Sequence, residues 1–238
     1  MIIGSVEFSK VEADWFIRGS LSSQEEMPQK EIFLSSFYIG KYLITNAQYR
    51  VFLEDTGYRI PPLIDSVVFG ADNHPIVCVS WHDAKKFCRW FSQKHRHACD
   101  LPTEAQWERA CRGTNGQYYS WGNAVPDKHY LNTANFVGHT TPVGTYSYPS
   151  PCGCYDMLGN VWEWCRDVYD EKFYQKSDNE DPLNDGDGKF KVIRGASWRS
   201  ELFRAACAHR CYYNPSVRSD RHGFRVVIEK PELLETRI

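Results

Sequence analysis

A chain of 238 residues with 28 Lys and Arg against 30 Asp and Glu has a formal net charge of -2, so it lacks the basic surplus that draws nucleic acid or an anionic membrane. Its opening, Met1-Ile2-Ile3-Gly4-Ser5-Val6-Glu7, has neither the basic region nor the apolar stretch of a secretion signal, and no run reaches bilayer length. The length suits one domain over 1–238, and the expectation is a soluble, cytoplasmic protein with no nucleic-acid partner and no membrane insertion.

Thr45 reads as a helix N-cap, with Tyr49, Phe52 and Leu53 on one face and Gly57 as the stop. A second helix is signalled by Ser80 followed by Ala84, Phe87, Cys88 and Phe91 at three- and four-residue spacing. Thr103 with Gln106 three positions on forms a capping box for a third, carrying Trp107, Ala110 and Cys111 up to Gly113. These helices are scaffold. Beyond Gly113 the helical period fades into Gly-, Pro- and aromatic-rich chain, with short strands expected at Thr141 to Tyr146 and Lys191 to Arg194. The acidic stretch Ser177 to Lys189 lacks the Glu an EF-hand needs at its twelfth position and reads as a solvated loop. Nine cysteines, an odd number without a signal sequence, read as reduced core thiols. Cys152-Gly153-Cys154, with no second pair or nearby His, reads as a tight turn.

The most informative stretch is Val192 to Val227. Arg194-Gly195-Ala196-Ser197-Trp198 opens it, Gly223-Phe224-Arg225 closes it, and the interior is mostly large polar and aromatic residues. Upstream, in order, stand FYIGKYLITNAQY (Phe37 to Tyr49), HPIVCVSW (His74 to Trp81), LPTEAQWE (Leu101 to Glu108) and GNVWEW (Gly159 to Trp164). Together these resemble the formylglycine-generating enzyme (sulfatase-modifying factor) family, from about Trp15 to Val227. The resemblance implies an α+β, elaborated C-type-lectin-like fold with short antiparallel strands, a few helices and much irregular structure.

In the family's oxidising members two cysteines follow the motif serine at the third and eighth positions and bind copper; here those positions are Ser200 and Ala205. A hydroxyl and a methyl group cannot replace soft thiolate ligands, so no copper and no catalytic residues are expected. Cys207 and Cys211 lie nearby at the wrong offset and spacing. The family's structural calcium loop maps onto Asp156, Gly159, Val161 and Glu163; the opposing reading has Asp156 capping a turn and Glu163 pairing with an Arg.

A second branch is similar without a gap. Variable proteins of diversity-generating retroelements share the pattern carried here by Ser197-Trp198, Ala208-His209-Arg210, Asn214-Pro215 and Gly223-Phe224-Arg225-Val226-Val227. That resemblance implies a C-terminal variable ligand-binding region over 192–227. Its surface residues would be Arg199, Ser200, Glu201, Phe203, Arg204, His209, Cys211, Tyr212, Tyr213, Ser216, Val217, Ser219, Asp220, Arg221 and His222, facing a protein or other macromolecular ligand. Adenine-directed mutagenesis of asparagine codons cannot yield Lys, Gln, Met or Trp, and Arg199 to His222 contains none of them, although Glu201 falls outside the simplest code. Phe203, Arg204, Tyr212 and Tyr213 would be the anchors. Arg194, Arg210, Arg218 and Arg225 would hold the frame, with Trp198, Ala208 and Phe224 in the core. The alternatives are a formylglycine-generating oxidase relative, the C-terminal module of a sulfoxide-forming iron enzyme, or an accessory domain for a fixed partner.

Overall fold

The computed structural model describes residues 1–229. Strands β1 (Ile2–Ile3), β2 (Val6–Val11), β3 (Asp14–Arg18), β4 (Lys30–Leu34) and β5 (Phe37–Gly40) lead into helices α1 (Asn46–Thr56) and α2 (Trp81–His95). Then come β6 (Cys99–Asp100), α3 (Glu104–Arg112), β7 (Trp162–Val168), the short α4 (Phe173–Lys176), β8 (Lys191–Arg194), β9 (Cys211–Tyr213), β10 (His222–Gly223) and β11 (Val227–Ile228). Short strands, few helices and a long irregular run between α3 and β7 make this the α+β architecture that the motifs imply.

Each long helix starts where its side chains satisfy otherwise unpaired backbone donors. Thr45 and Gln48, Ser80 and Asp83, and Thr103 and Gln106 each form a reciprocal capping box. Gly57 ends α1 in the left-handed region at φ 62°. One face of α2 buries Ala84, Phe87, Cys88 and Phe91. The ring of Phe87 stacks on Tyr49 of α1 at 5.8 Å and meets Phe224 edge-on at 5.4 Å. The closing Gly-Phe-Arg motif is thereby pinned to both helices.

The five-stranded antiparallel sheet has the order β1-β2-β5-β11-β6, so the last strand is inserted between two that precede it by more than a hundred residues. A second sheet runs β10-β7-β8-β9, in which β10 lies parallel to β7 and the other pairs are antiparallel. Strands β8, β9 and β10 all come from the C-terminal window, so this sheet is its floor. The third sheet is the β3–β4 ribbon.

One local expectation fails. Thr141 to Tyr146 is not a strand: Gly144 takes φ 73°, Thr145 N donates to the Pro142 carbonyl, and Val143 N donates to Asn73 O, which makes a turn. The acidic stretch after Ser177 is the exposed loop expected, fastened at one point to the β3–β4 ribbon. Its side chains are largely exposed, but Phe33 N donates to Asn179 O at 2.7 Å and Asp181 N to Phe33 O at 3.0 Å, while the Asp181 carboxylate accepts from Ser35 N and Oγ.

Candidate ligand-binding surface

The turn that opens the window is held by backbone contacts from distant loops. Gly195 and Ala196 both have positive φ, 95° and 67°. A side chain at Gly195 would meet the Met157 carbonyl at 2.7 Å, which makes glycine necessary there. Ser197 N donates to Ser200 Oγ at 3.0 Å and closes the turn. Ala134 and Asn135, left-handed at φ 51° and 58°, aim successive N–H groups at the carbonyls of Ser200 and Trp198. The Trp198 indole lies in the core and donates Nε1 to Asp220 O at 3.1 Å, tying the start of the window to its end.

Four arginines hold the rest, as anticipated. Arg194 reaches Glu104 at 3.1 Å, Glu108 at 2.8 Å and the carbonyls of Cys207 and Ala208. Arg210 grips both oxygens of Glu104, at 2.8 and 2.9 Å. Burial acts to raise the Glu104 pKa, but Arg210 and Arg194 outweigh it and hold the carboxyl low. Arg218 forks onto Asp83, the cap-box residue of α2. Arg225 forks onto Glu163 and donates to the carbonyls of Gly40 and Tyr155. Every residue of α3 is buried, and Glu104, Glu108 and Arg112 serve this network and its extension through the Tyr174 hydroxyl to Glu108. Ala208 and Phe224 are in the core with Trp198.

Between these anchors the side chains turn outward. Arg199, Glu201, Phe203, Tyr212, Tyr213 and Ser216 are exposed, Phe203 at 63%. Ser200, Arg204, His209, Cys211, Val217, Ser219, Asp220 and Arg221 are half-buried. His222 is the exception: it is 2% exposed, beneath Tyr213 at 4.7 Å and against Trp164 at 5.2 Å, because β10 pairs it with Trp162 in the sheet. It is therefore removed from the displayed set. Burial also pushes its pKa down to about 3, with Arg221 adding to the shift. Ser200 is part of the turn, its hydroxyl engaged by Ser197. Ala205, at the other expected thiol position, is fully buried. Cys207 meets Cys111 at 2.7 Å in the interior.

The displayed residues form two neighbourhoods. Phe203 lies against His209 at 6.3 Å and His209 against Trp162 at 6.1 Å, with Glu26 3.7 Å from the imidazole. Tyr212 instead packs on Tyr169 and Phe190, at 4.2 and 5.0 Å. Successive residues of a strand face opposite ways, so β9 sends Tyr212 and Tyr213 to different sides. Around Trp198 stand residues that sequence reasoning missed. Phe69 packs on Trp198 at 6.2 Å, and exposed Val67, Val68, Phe136 and Val137 sit on the two loops flanking that indole. They belong to no periodic element, and the second loop is brought there by the bonds of Thr133, Ala134 and Asn135 to the carbonyls of Ser197, Ser200 and Trp198. Cavities of about 360 Å³ open elsewhere, at Leu34 to Phe37 with Arg166 and at Arg50, Leu53 and Tyr58; no window residue lines either.

Asp156, Gly159, Val161 and Glu163 do not fit a calcium ion as arranged. Both Glu163 oxygens are taken by Arg225, at 2.6 and 3.0 Å, and Asp156 accepts Gly144 N at 2.7 Å, closing a turn. Burial lifts the Asp156 pKa to about 6 and raises that of Glu163, opposed in each case by Arg225. A cation entering here would have to displace a buried guanidinium and leave it unpaired.

The comparisons agree with this frame. Residues 4–230 match the model of the sulfatase-modifying factor enzyme 1-like domain. The serine/threonine-protein kinase pkn1 of Chlamydia caviae is 35% identical over 237 residues, covering 90% of this chain but only 37% of the kinase, so the chain spans little more than a third of that relative. The formylglycine-generating enzyme of Streptomyces coelicolor is 30% identical over 260 residues, covering 84% of this chain and 80% of the enzyme. The fold is shared with PvdO from Pseudomonas aeruginosa (TM-score 0.82, 23% identity, 94% of this chain and 95% of that one). It is shared equally with Treponema denticola variable protein 1 (TM-score 0.78, 22% identity, 97% and 98%). With its motifs in order, its arginine-held frame in place and nearly its whole length matched, this chain belongs to the sulfatase-modifying factor enzyme 1-like domain family.

Proposed function

We propose that this chain is a non-catalytic, protein-binding member of its family, with a variable ligand surface displayed between Trp198 and Gly223. The observation that carries the reading is the chemistry at Ser200 and Ala205, where a hydroxyl locked in a turn and a buried methyl group stand at the positions of the oxidase thiols. Neither is a thiolate nucleophile or a copper ligand. What remains is a rigid frame with Arg199, Glu201, Phe203, Tyr212 and Tyr213 outward, a composition rich in the aromatic and arginine anchors of protein interfaces. The fold shared with a protein named as a variable protein supports the same reading.

The test against catalysis is direct. Incubated with copper(I) and a Cys-x-Pro-x-Arg peptide, the protein should leave the peptide mass unchanged; formylglycine formation above a metal-free control would overturn the proposal. A second reading, an accessory domain for one fixed partner, is favoured by the Chlamydia relative, in which the matching stretch is part of a longer chain named as a kinase. The encoding DNA separates the two readings. Diversification requires a near-identical repeat of the stretch encoding residues 199 to 222, differing only at adenines, beside a reverse transcriptase gene.

A further inference from the structure

A second surface lies on the β3–β4 ribbon, outside the 198–223 window. Phe16, Arg18, Ile32 and Leu34 are buried, so strand alternation places Trp15, Ile17, Glu31 and Phe33 on the outer face. The register pairs Trp15 with Phe33 and Ile17 with Glu31. A parallel bridge from Phe33 to Glu180 adds the acidic stretch as a third line of chain. One row across this surface therefore reads Trp15, Phe33, Glu180. The next reads Ile17, Glu31 and, two residues before Glu180, exposed Asp178.

Half of the face is apolar and half acidic. Trp15 is 47% exposed, its ring tilted against Phe33 at 5.7 Å. Glu31, Asp178 and Glu180 are exposed, and none forms an ion pair among the described residues. The neighbouring ammonium, Lys30, is turned to Ser177 O and Asn179 Oδ1, each at 3.0 Å. With Lys30 near Asp178 alone, the carboxylates of Glu31 and Glu180 beside an open indole complement a cation that brings apolar surface with it.

We propose that this face docks a basic segment of a partner protein, with an arginine over the Trp15 ring, an aliphatic residue against Phe33, and further basic side chains at Glu31, Asp178 and Glu180. Arginine suits the site because its planar guanidinium stacks on an indole and forks onto a carboxylate. The acidic stretch thereby acquires a role, and its fastening to Phe33 is what sets two of the carboxylates in register. The inference does not depend on the ligand surface between Trp198 and Gly223.

The experiment titrates the full chain by calorimetry with a short synthetic peptide of alternating arginine and leucine, and with the same peptide carrying glutamate for arginine. The arginine peptide should bind, more weakly as salt is raised, and the glutamate peptide should not. Trp15→Ala and the double variant Glu31→Lys, Glu180→Lys should each weaken binding by about tenfold or more with melting temperatures unchanged, whereas Phe203→Ala should bind as the parent does. Absence of binding, binding indifferent to charge reversal, or equal loss in Phe203→Ala would overturn the proposal. The last outcome would place the peptide on the other surface, which keeps failure here distinct from failure there.

Discussion

The imidazole of His222 lies between Tyr213 and Trp164 with Nδ1 buried and unpartnered, in a setting that accepts only its neutral form. Its folded pKa is pushed down to about 3, below the roughly 6.5 of an exposed histidine. Above pH 6.5 neither state holds the proton, and the stability associated with this residue is fully present. As pH falls from 6.5 toward 3 the unfolded chain binds a proton that the folded chain refuses, so stability drops by up to about 1.4 kcal/mol per pH unit. The buried carboxyls of Asp156 and Asp167, raised by burial to about 6 and about 7, act in the opposite sense, so the comparison must be with a variant. Urea unfolding of the parent and His222→Phe should show the parent losing more stability between pH 6.5 and 4 and no difference in slope above pH 7. Parallel profiles throughout would mean that the side chain is hydrated. No local pattern reveals this burial: it follows from pairing with Trp162, sixty residues away in the chain.

At the scale of elements, what the sequence made legible was whatever a few neighbouring residues decide. Thr45, Ser80 and Thr103 announce their helices because a cap and its reciprocal partner lie three residues apart, and the structure contains all three boxes. Thr141 to Tyr146 misled because its threonine and tyrosine content favours a strand while its path is set by Asn73 and Asp156, which no short window contains. For the loop before β7 the sequence left two readings open, a calcium ion or Glu163 paired with an arginine, and Arg225, which engages Glu163, lies beyond three intervening strands. The arrangement makes two measurable claims. Chelation with EDTA should leave the melting temperature unchanged, and Glu163→Ala should cost about 3–5 kcal/mol by stranding a buried guanidinium. A melting temperature that falls on chelation and recovers with calcium would contradict this and restore the ion.

Across the whole molecule, the N- and C-terminal portions are woven together: β11 fills the gap between β5 and β6, and Arg225 ties β5 to β7 through Gly40 O and Glu163. The motif order carried the fold, because each motif contributes a junction of this weave. The frame of the candidate surface was equally readable in Trp198, Ala208, Phe224 and the four arginines. Its outline was not. The flanking apolar loops, the division of Tyr212 from Tyr213 by β9 and the Trp15 ribbon all arise from tertiary pairing.

On the proposed display reading, such a weave would let the window's interior vary without loosening the fold, and that is the central claim. It is tested most directly by thermal melting of single variants from the two classes. Alanine at Arg199, Glu201, Phe203 or Ser216 should shift stability by about 0.5 kcal/mol or less. Trp198→Ala, Ala208→Leu and Phe224→Ala should each cost roughly 1–5 kcal/mol, because they empty or overfill packed sites. If the interior variants melt as low as the frame variants, the stretch is scaffold and the display account is wrong.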